Sequence, residues 1–239
     1  MKCLVPVLAA LALFTGLAHA SDRVPFTATY DVVRSGKRVG KANMSLQRDG
    51  GNWRFTSVTH ASLGPGGLLG IDTTETSLFR WKQYSPEMLA YDFRLDSSLK
   101  KSHRHTEADW SAQRVHVDDS GKGRSDYASE PGLVERHLLA LALGQALLHG
   151  DNDEIDFAVA VRDHVEHQTF RVDGPETVDV PAGRFDDAWH VERSDRDRGF
   201  NSWYAPERYP VPLMIRYGDR MELRLATFVP GPVAATRDD

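Results

Sequence analysis

The residues best placed for chemistry are His103, His105, Glu107 and Asp109, at every second position of His103-Arg104-His105-Thr106-Glu107-Ala108-Asp109. On a β-strand, alternate side chains share one face about 7 Å apart, so two imidazoles and two carboxylates would line up. Histidine and carboxylate suit zinc or iron. A wet strand face carries the same pattern, however, and the sequence shows no distant ligand to complete a shell. His164 and His167 are separated by an odd number of residues, which aims them at opposite faces of a regular strand.

Other reactive arrangements are incomplete. Gly64-Pro65-Gly66-Gly67 could cradle a phosphate only with a strand before it, a helix after it and usually a lysine. The chain lacks a Gly-x-Ser-x-Gly elbow, and Asp118-Asp119 and Asp186-Asp187 fall at expected turns. Trp53, Trp81, Trp110, Trp189 and Trp203 could line a ligand cavity, although core packing is the commoner use of tryptophan. No catalytic, metal or cofactor-binding residue is therefore assigned, and no cofactor is expected.

The elements that would position these residues are strands. Phe26, Ala28, Tyr30 and Val32 alternate with Thr27, Thr29 and Asp31, the period-two pattern of a strand with one wet face. Ala42, Met44 and Leu46 repeat it, Asp49-Gly50-Gly51 turns the chain, and Trp53 and Phe55 open the return. Further strands are expected at Ile71–Trp81, Met88–Leu95, His103–Trp110 and Arg114–Asp118. After residue 150 the alternation resumes, with a turn at Val180-Pro181-Ala182-Gly183 and a hairpin pairing Leu213, Ile215 and Tyr217 with Met221, Leu223 and Leu225. One segment differs. Leucines and alanines dominate from Leu133 to Leu148, and the stretch Leu138–Leu143 is apolar on every side; with Glu135 in the expected first turn and Gly150 as the stop, a buried helix at about 133–149 is predicted.

At the amino terminus, Lys2, the apolar run from Leu4 to Leu17 and Ala18-His19-Ala20 read as a signal peptide cleaved after Ala20. The run is shorter than the roughly 20 residues that span a bilayer, and the single cysteine, Cys3, precedes it. A net charge of −5 argues against nucleic acid, and no polybasic stretch favours anionic lipid. The organisation expected is a leader at 1–20, a single β-rich domain at 21–229 and a flexible tail at 230–239.

The run Val172-Asp173-Gly174-Pro175-Glu176-Thr177-Val178-Asp179-Val180-Pro181-Ala182-Gly183-Arg184-Phe185, followed by Trp203-Tyr204-Ala205-Pro206 and Pro210-Val211, resembles the bacterial exported family known as domain of unknown function 3108. Phe26-x-Ala28-x-Tyr30, Val39-Gly40, Glu75-x-Ser77-x-Phe79 and Asp109-Trp110 fit the same pattern, so the likeness spans nearly the whole mature chain. The resemblance implies a Gram-negative periplasmic setting and a strongly curved antiparallel sheet, akin to the half-barrels of lipoprotein carriers and envelope-integrity proteins. It brings no agreed activity and no catalytic residues.

The expected fold is therefore mainly β: a strongly curved antiparallel sheet, half-barrel or open barrel, around one buried helix. The expected function is that of a non-catalytic periplasmic protein that binds a lipid-like or glycan ligand or an envelope protein partner. No nucleic acid and no stable membrane insertion are expected. Two alternatives stand beside it. One is an envelope hydrolase, metal-assisted at His103, His105 and Glu107; the other is a purely structural envelope-integrity protein.

Overall fold

The computed structural model describes residues 23–63, 69–151, 153–196, 200–218 and 221–231. The expected leader, the Gly64–Gly67 loop and residues 232–239 of the expected tail lie outside them.

The period-two segments become strands in chain order. β1 (Phe26–Arg34), β2 (Lys37–Asp49), β3 (Asn52–Leu63), β4 (Leu69–Lys82), β5 (Ser85–Ser97), β6 (Lys101–Asp109), β7 (Arg114–Asp119) and β8 (Gly123–Ala128) form an antiparallel meander. The chain then crosses through β9 (Val134–Glu135) and helix α1 (Leu139–Leu148). It returns as β10 (Glu154–Ala160), β11 (Val165–Val180), β12 (Gly183–Arg193), β13 (Phe200–Tyr204), β14 (Met214–Tyr217) and β15 (Met221–Pro230). β15 lies antiparallel to β1, so both meanders join in a single sheet whose ends are β8 and β9. Those ends do not pair with each other, and the sheet stays open. Cross-links bend it round on itself: the Tyr127 hydroxyl donates to the Val161 carbonyl at 2.6 Å, and the Met88 N–H to the Leu133 carbonyl at 2.8 Å.

Alternation sorts the side chains. Phe26, Ala28, Tyr30, Phe55, Phe79 and Phe170 are buried on the concave face, and α1 packs among them. Two tyrosines tie the helix region in place: Tyr204 donates to the Ala140 carbonyl at 3.2 Å, and Tyr30 to the Pro212 carbonyl at 2.8 Å. Gly144 lets the helix lie close against the chain at Pro210, since a Cβ there would lie 2.7 Å from the Pro210 carbonyl oxygen. At the helix end Gly150 takes φ +94°, and the Gly150 and Asp151 N–H groups bond to the Leu147 and Ala146 carbonyls, a Schellman closure.

The helix is shorter than the 133–149 expected. Leu133, Val134 and Glu135 are buried but extended, with Val134 and Glu135 paired in parallel with Val159 and Ala160 of β10. A turn at 136–138 follows. Tertiary pairing overrides a local composition that favours helix. Glu135, expected in the first turn as a charge on the dipole, instead precedes the helix. Its carboxylate accepts the His137 N–H at 2.6 Å and the Leu138 N–H at 3.1 Å, serving donors that the helix start leaves free. Leu138, at the cap position, supplies no side-chain bond.

Candidate functional site

The helix fills only part of the hollow. Above it the inward faces of β1–β4 and β13–β15 line an open-sided cavity of about 310 Å³. Its walls are mostly apolar, with Val32, Met44, Ile71, Phe200, Ile215 and Leu223 among them. Polar side chains gather where the 136–138 turn meets β3 and β4: Ser57, Glu75, Arg136 and His137.

These polar groups occupy inward positions of strands whose neighbours on the same face are aromatic. On β3, Ser57 follows Trp53 and Phe55; on β4, Ser77 precedes Phe79. Each serine meets one nitrogen of the same imidazole. Ser57 Oγ lies 2.7 Å from His137 Nε2, and Ser77 Oγ lies 2.7 Å from His137 Nδ1. The Ser77 hydroxyl also donates to Glu135 Oε1 in a short bond. The His137 ring stacks on Phe55 with centroids 4.5 Å apart, which fixes its plane. A carboxylate, a hydroxyl, an imidazole and a second hydroxyl thus form a continuous buried chain ending at the cavity.

Burial controls the charge states. It lowers the His137 pKa to about 4, helped by the Arg136 guanidinium and opposed by Glu75, so the ring is neutral at physiological pH. Burial raises the Glu135 pKa to about 7, against the Ser77 bond and the two backbone N–H bonds and with the help of Glu75. Glu75 accepts the Tyr91 hydroxyl at 2.5 Å and pairs with Arg136 at 3.4 Å. Burial pushes Glu75 up, but His137, Arg136 and the Tyr91 bond together hold it below its ordinary value.

A second cavity of about 380 Å³ shares Arg136 with the first and is lined by Arg104, Arg162, Glu166 and Arg196. Its charges are paired: Arg104 and Arg162 lie 2.9 Å and 3.3 Å from Asp119, while Glu166 pairs with Arg196 and, at 3.3 Å, with Arg193.

The Ser57–His137 contact has the reach of a nucleophile and its base. Acyl transfer also needs donors aimed at a developing oxyanion. Ser57 sits inside β3, where the β2 and β4 ladders take up the strand's N–H groups on both sides. The strand therefore presents no free N–H pair at Ser57. The contact reads as a polar floor under an apolar chamber.

The sequence candidates lie elsewhere. His103 and His105 share the convex face of β6, 3.6 Å and 3.0 Å from Asp92 of β5, while Glu107 is exposed and lies opposite His116. The Asp109 carboxylate accepts the Ser111 and Ala112 N–H groups of its own turn. Among the described residues no group of three or more histidine, cysteine or carboxylate side chains is arranged to hold a metal. His164 and His167 are exposed, beside Asp163 and Glu130. Trp53 and Trp203 are core residues; Trp110 is partly buried, its indole donating to the Met88 carbonyl at 3.0 Å. Ser57, Ser77, Glu135 and His137 were not candidates. The available signal was parity, because each serine stands at an inward position next to an aromatic one, Phe55 before Ser57 and Phe79 after Ser77.

Residues 26–224 match the family described as protein of unknown function (DUF3108). Among solved structures, a β-barrel-like protein of domain of unknown function DUF1849 from Brucella abortus aligns with a TM-score of 0.54 at 15% identity. That alignment covers 87% of this chain and 98% of the other. A DUF1089 family protein from Pseudomonas aeruginosa aligns at 11% identity with a TM-score of 0.39, covering 74% and 88%. Among curated proteins none matches the chain.

Proposed function

The chain belongs to the DUF3108 family of proteins of unknown function, and we propose that it is an exported protein that holds one lipid-like chain. The single observation that carries this reading is the 310 Å³ chamber with apolar walls between helix and sheet. Ligand pockets of about 300–1,000 Å³ are typically apolar with a few convergent polar groups. This one stands at the small end, with room for a single hydrocarbon tail. The polar floor gives the ligand's functional group a place at the end of that tail. Apolar walls favour a lipid-like ligand over a glycan, whose hydroxyls would lose water without finding partners. The leader read at residues 1–20 supports a periplasmic site of action.

Titration of delipidated protein with a dansyl-labelled undecyl chain tests the reading. Saturable one-to-one binding with a blue-shifted dansyl emission is expected. Emission unchanged from that in buffer, with the protein folded, would refute it.

A further inference from the structure

We propose that Ser57, His137, Ser77 and Glu135 form a hydrogen-bond wire with two directions, and that the direction decides whether the cavity floor offers its ligand an acceptor or a donor. The inference rests on the lipid-holding reading for its ligand and on geometry alone for the wire.

A neutral imidazole carries one N–H and one bare nitrogen, and each serine has one hydroxyl proton, so fixing one link fixes the others. An ionised Glu135 can only accept, so Ser77 donates to it. The Ser77 oxygen then takes the Nδ1 proton of His137, and the bare Nε2 takes the Ser57 proton. Ser57, which lines the cavity, then faces the ligand with lone pairs only. A protonated Glu135 reverses every link: Glu135 donates to Ser77, Ser77 to Nδ1, and Nε2–H to Ser57. The Ser57 proton is then free to point into the chamber. His137 changes tautomer without changing charge.

The reversal belongs near neutral pH, where buried Glu135 titrates. The groups facing Glu135 are Glu75 on β4, Tyr91 on β5, and Arg136 and His137 on its own turn. Across the shared cavity stand Arg104, Arg162, Asp163, His164, Glu166 and Arg196. Of these, Asp163 contacts His164, while Arg104, Arg162 and Arg196 each contact a carboxylate. The ligand class follows: a single-chain amphiphile with an uncharged end group. An acceptor-only end, such as an ester carbonyl, is favoured when the wire runs from Glu135. An alcohol, able to donate or accept, fits both directions.

Nitrogen-15 NMR of the folded protein reads the wire directly. The His137 proton should sit on Nδ1 at about pH 8.5 and on Nε2 at about pH 5.5. In Glu135→Gln the amide donates permanently to Ser77, so the proton should stay on Nε2 at both values. Methyl laurate should bind about fivefold tighter at the lower pH, the worth of one ordinary hydrogen bond, while dodecanol binds equally at both. In Glu135→Gln the ester should keep its tighter affinity throughout. An unchanged wild-type tautomer, or a change that persists in Glu135→Gln, would overturn the wire. Equal ester affinity at both pH values despite a tautomer change would overturn its role in selection. Failure of both ligands to bind, with the tautomer change intact, would refute the lipid-holding reading and leave the wire standing.

Discussion

Replacing Glu135 with glutamine should make the protein more stable at neutral pH than at acid pH, relative to wild type. Burial raises the Glu135 pKa from an ordinary 4.5 to about 7. A group raised on folding contributes stability below its unfolded value and loses it as pH climbs through the folded value. At 1.36 kcal/mol per pKa unit the loss between about pH 4.5 and pH 7 is about 3 kcal/mol. His137 acts in the opposite sense, since its pKa falls from 6.5 to about 4. Protons taken up by the unfolded imidazole below about pH 6.5 destabilise the fold by a similar amount, about 3 kcal/mol by pH 4. In wild type the two slopes nearly cancel between about pH 4.5 and pH 6.5. Glu135→Gln removes one slope and exposes the other, because the causes that depress His137 are burial and Arg136, both retained in the variant. Urea denaturation at intervals between about pH 4.5 and pH 7.5 should show the difference, variant minus wild type, rising by about 3 kcal/mol. For a domain near 200 residues that equals roughly 6–12 °C in Tm. Groups such as Asp119, held down at about 2 by its arginines against the pull of burial, are common to both proteins and drop out of the difference. A difference constant to within about 0.5 kcal/mol would show that burial does not raise the Glu135 pKa on folding.

Gly144→Ala should cost about 1–3 kcal/mol by forcing the helix off the Pro210 carbonyl, read as a lower urea midpoint with unchanged slope. Asp119→Ala should cost about 2–3 kcal/mol, because it strands Arg104, Arg162 and the Gly121 N–H at once; chemical denaturation measures it. Thr73→Trp, on the chamber wall beside its cross-strand partner Thr59, should fill the cavity and lower lipid affinity at least about tenfold, with a fluorescence titration as the readout. Retention of binding in that folded variant would place the ligand elsewhere.

The sheet was readable because a half-buried strand advertises itself every second residue. Phe26 to Val32, Ala42 to Leu46 and the Leu213–Leu225 hairpin all carry their inward face in the expected register. The single helix was also legible, but its start was not. Leu133, Val134 and Glu135 have helix-compatible composition, and only the distant β10 strand draws them into extended pairing. Site legibility was poorer for a related reason. Ser57, Ser77 and His137 are 20 and 60 residues apart in sequence, and their meeting depends on β3 and β4 lying side by side under the turn before α1. His103, His105 and Glu107 attracted notice through local spacing, yet that spacing belongs to a convex wet face. Local pattern identifies faces; chemistry here depends on which faces the curvature brings together.

Native mass spectrometry of the protein, purified from its own host under mild conditions, tests the central claim most directly. A one-to-one adduct is expected, which organic extraction should identify as a single-chain, uncharged amphiphile and which should be lost in Thr73→Trp. Protein that always flies at its bare mass, and that takes up neither dodecanol nor methyl laurate after delipidation, would contradict it.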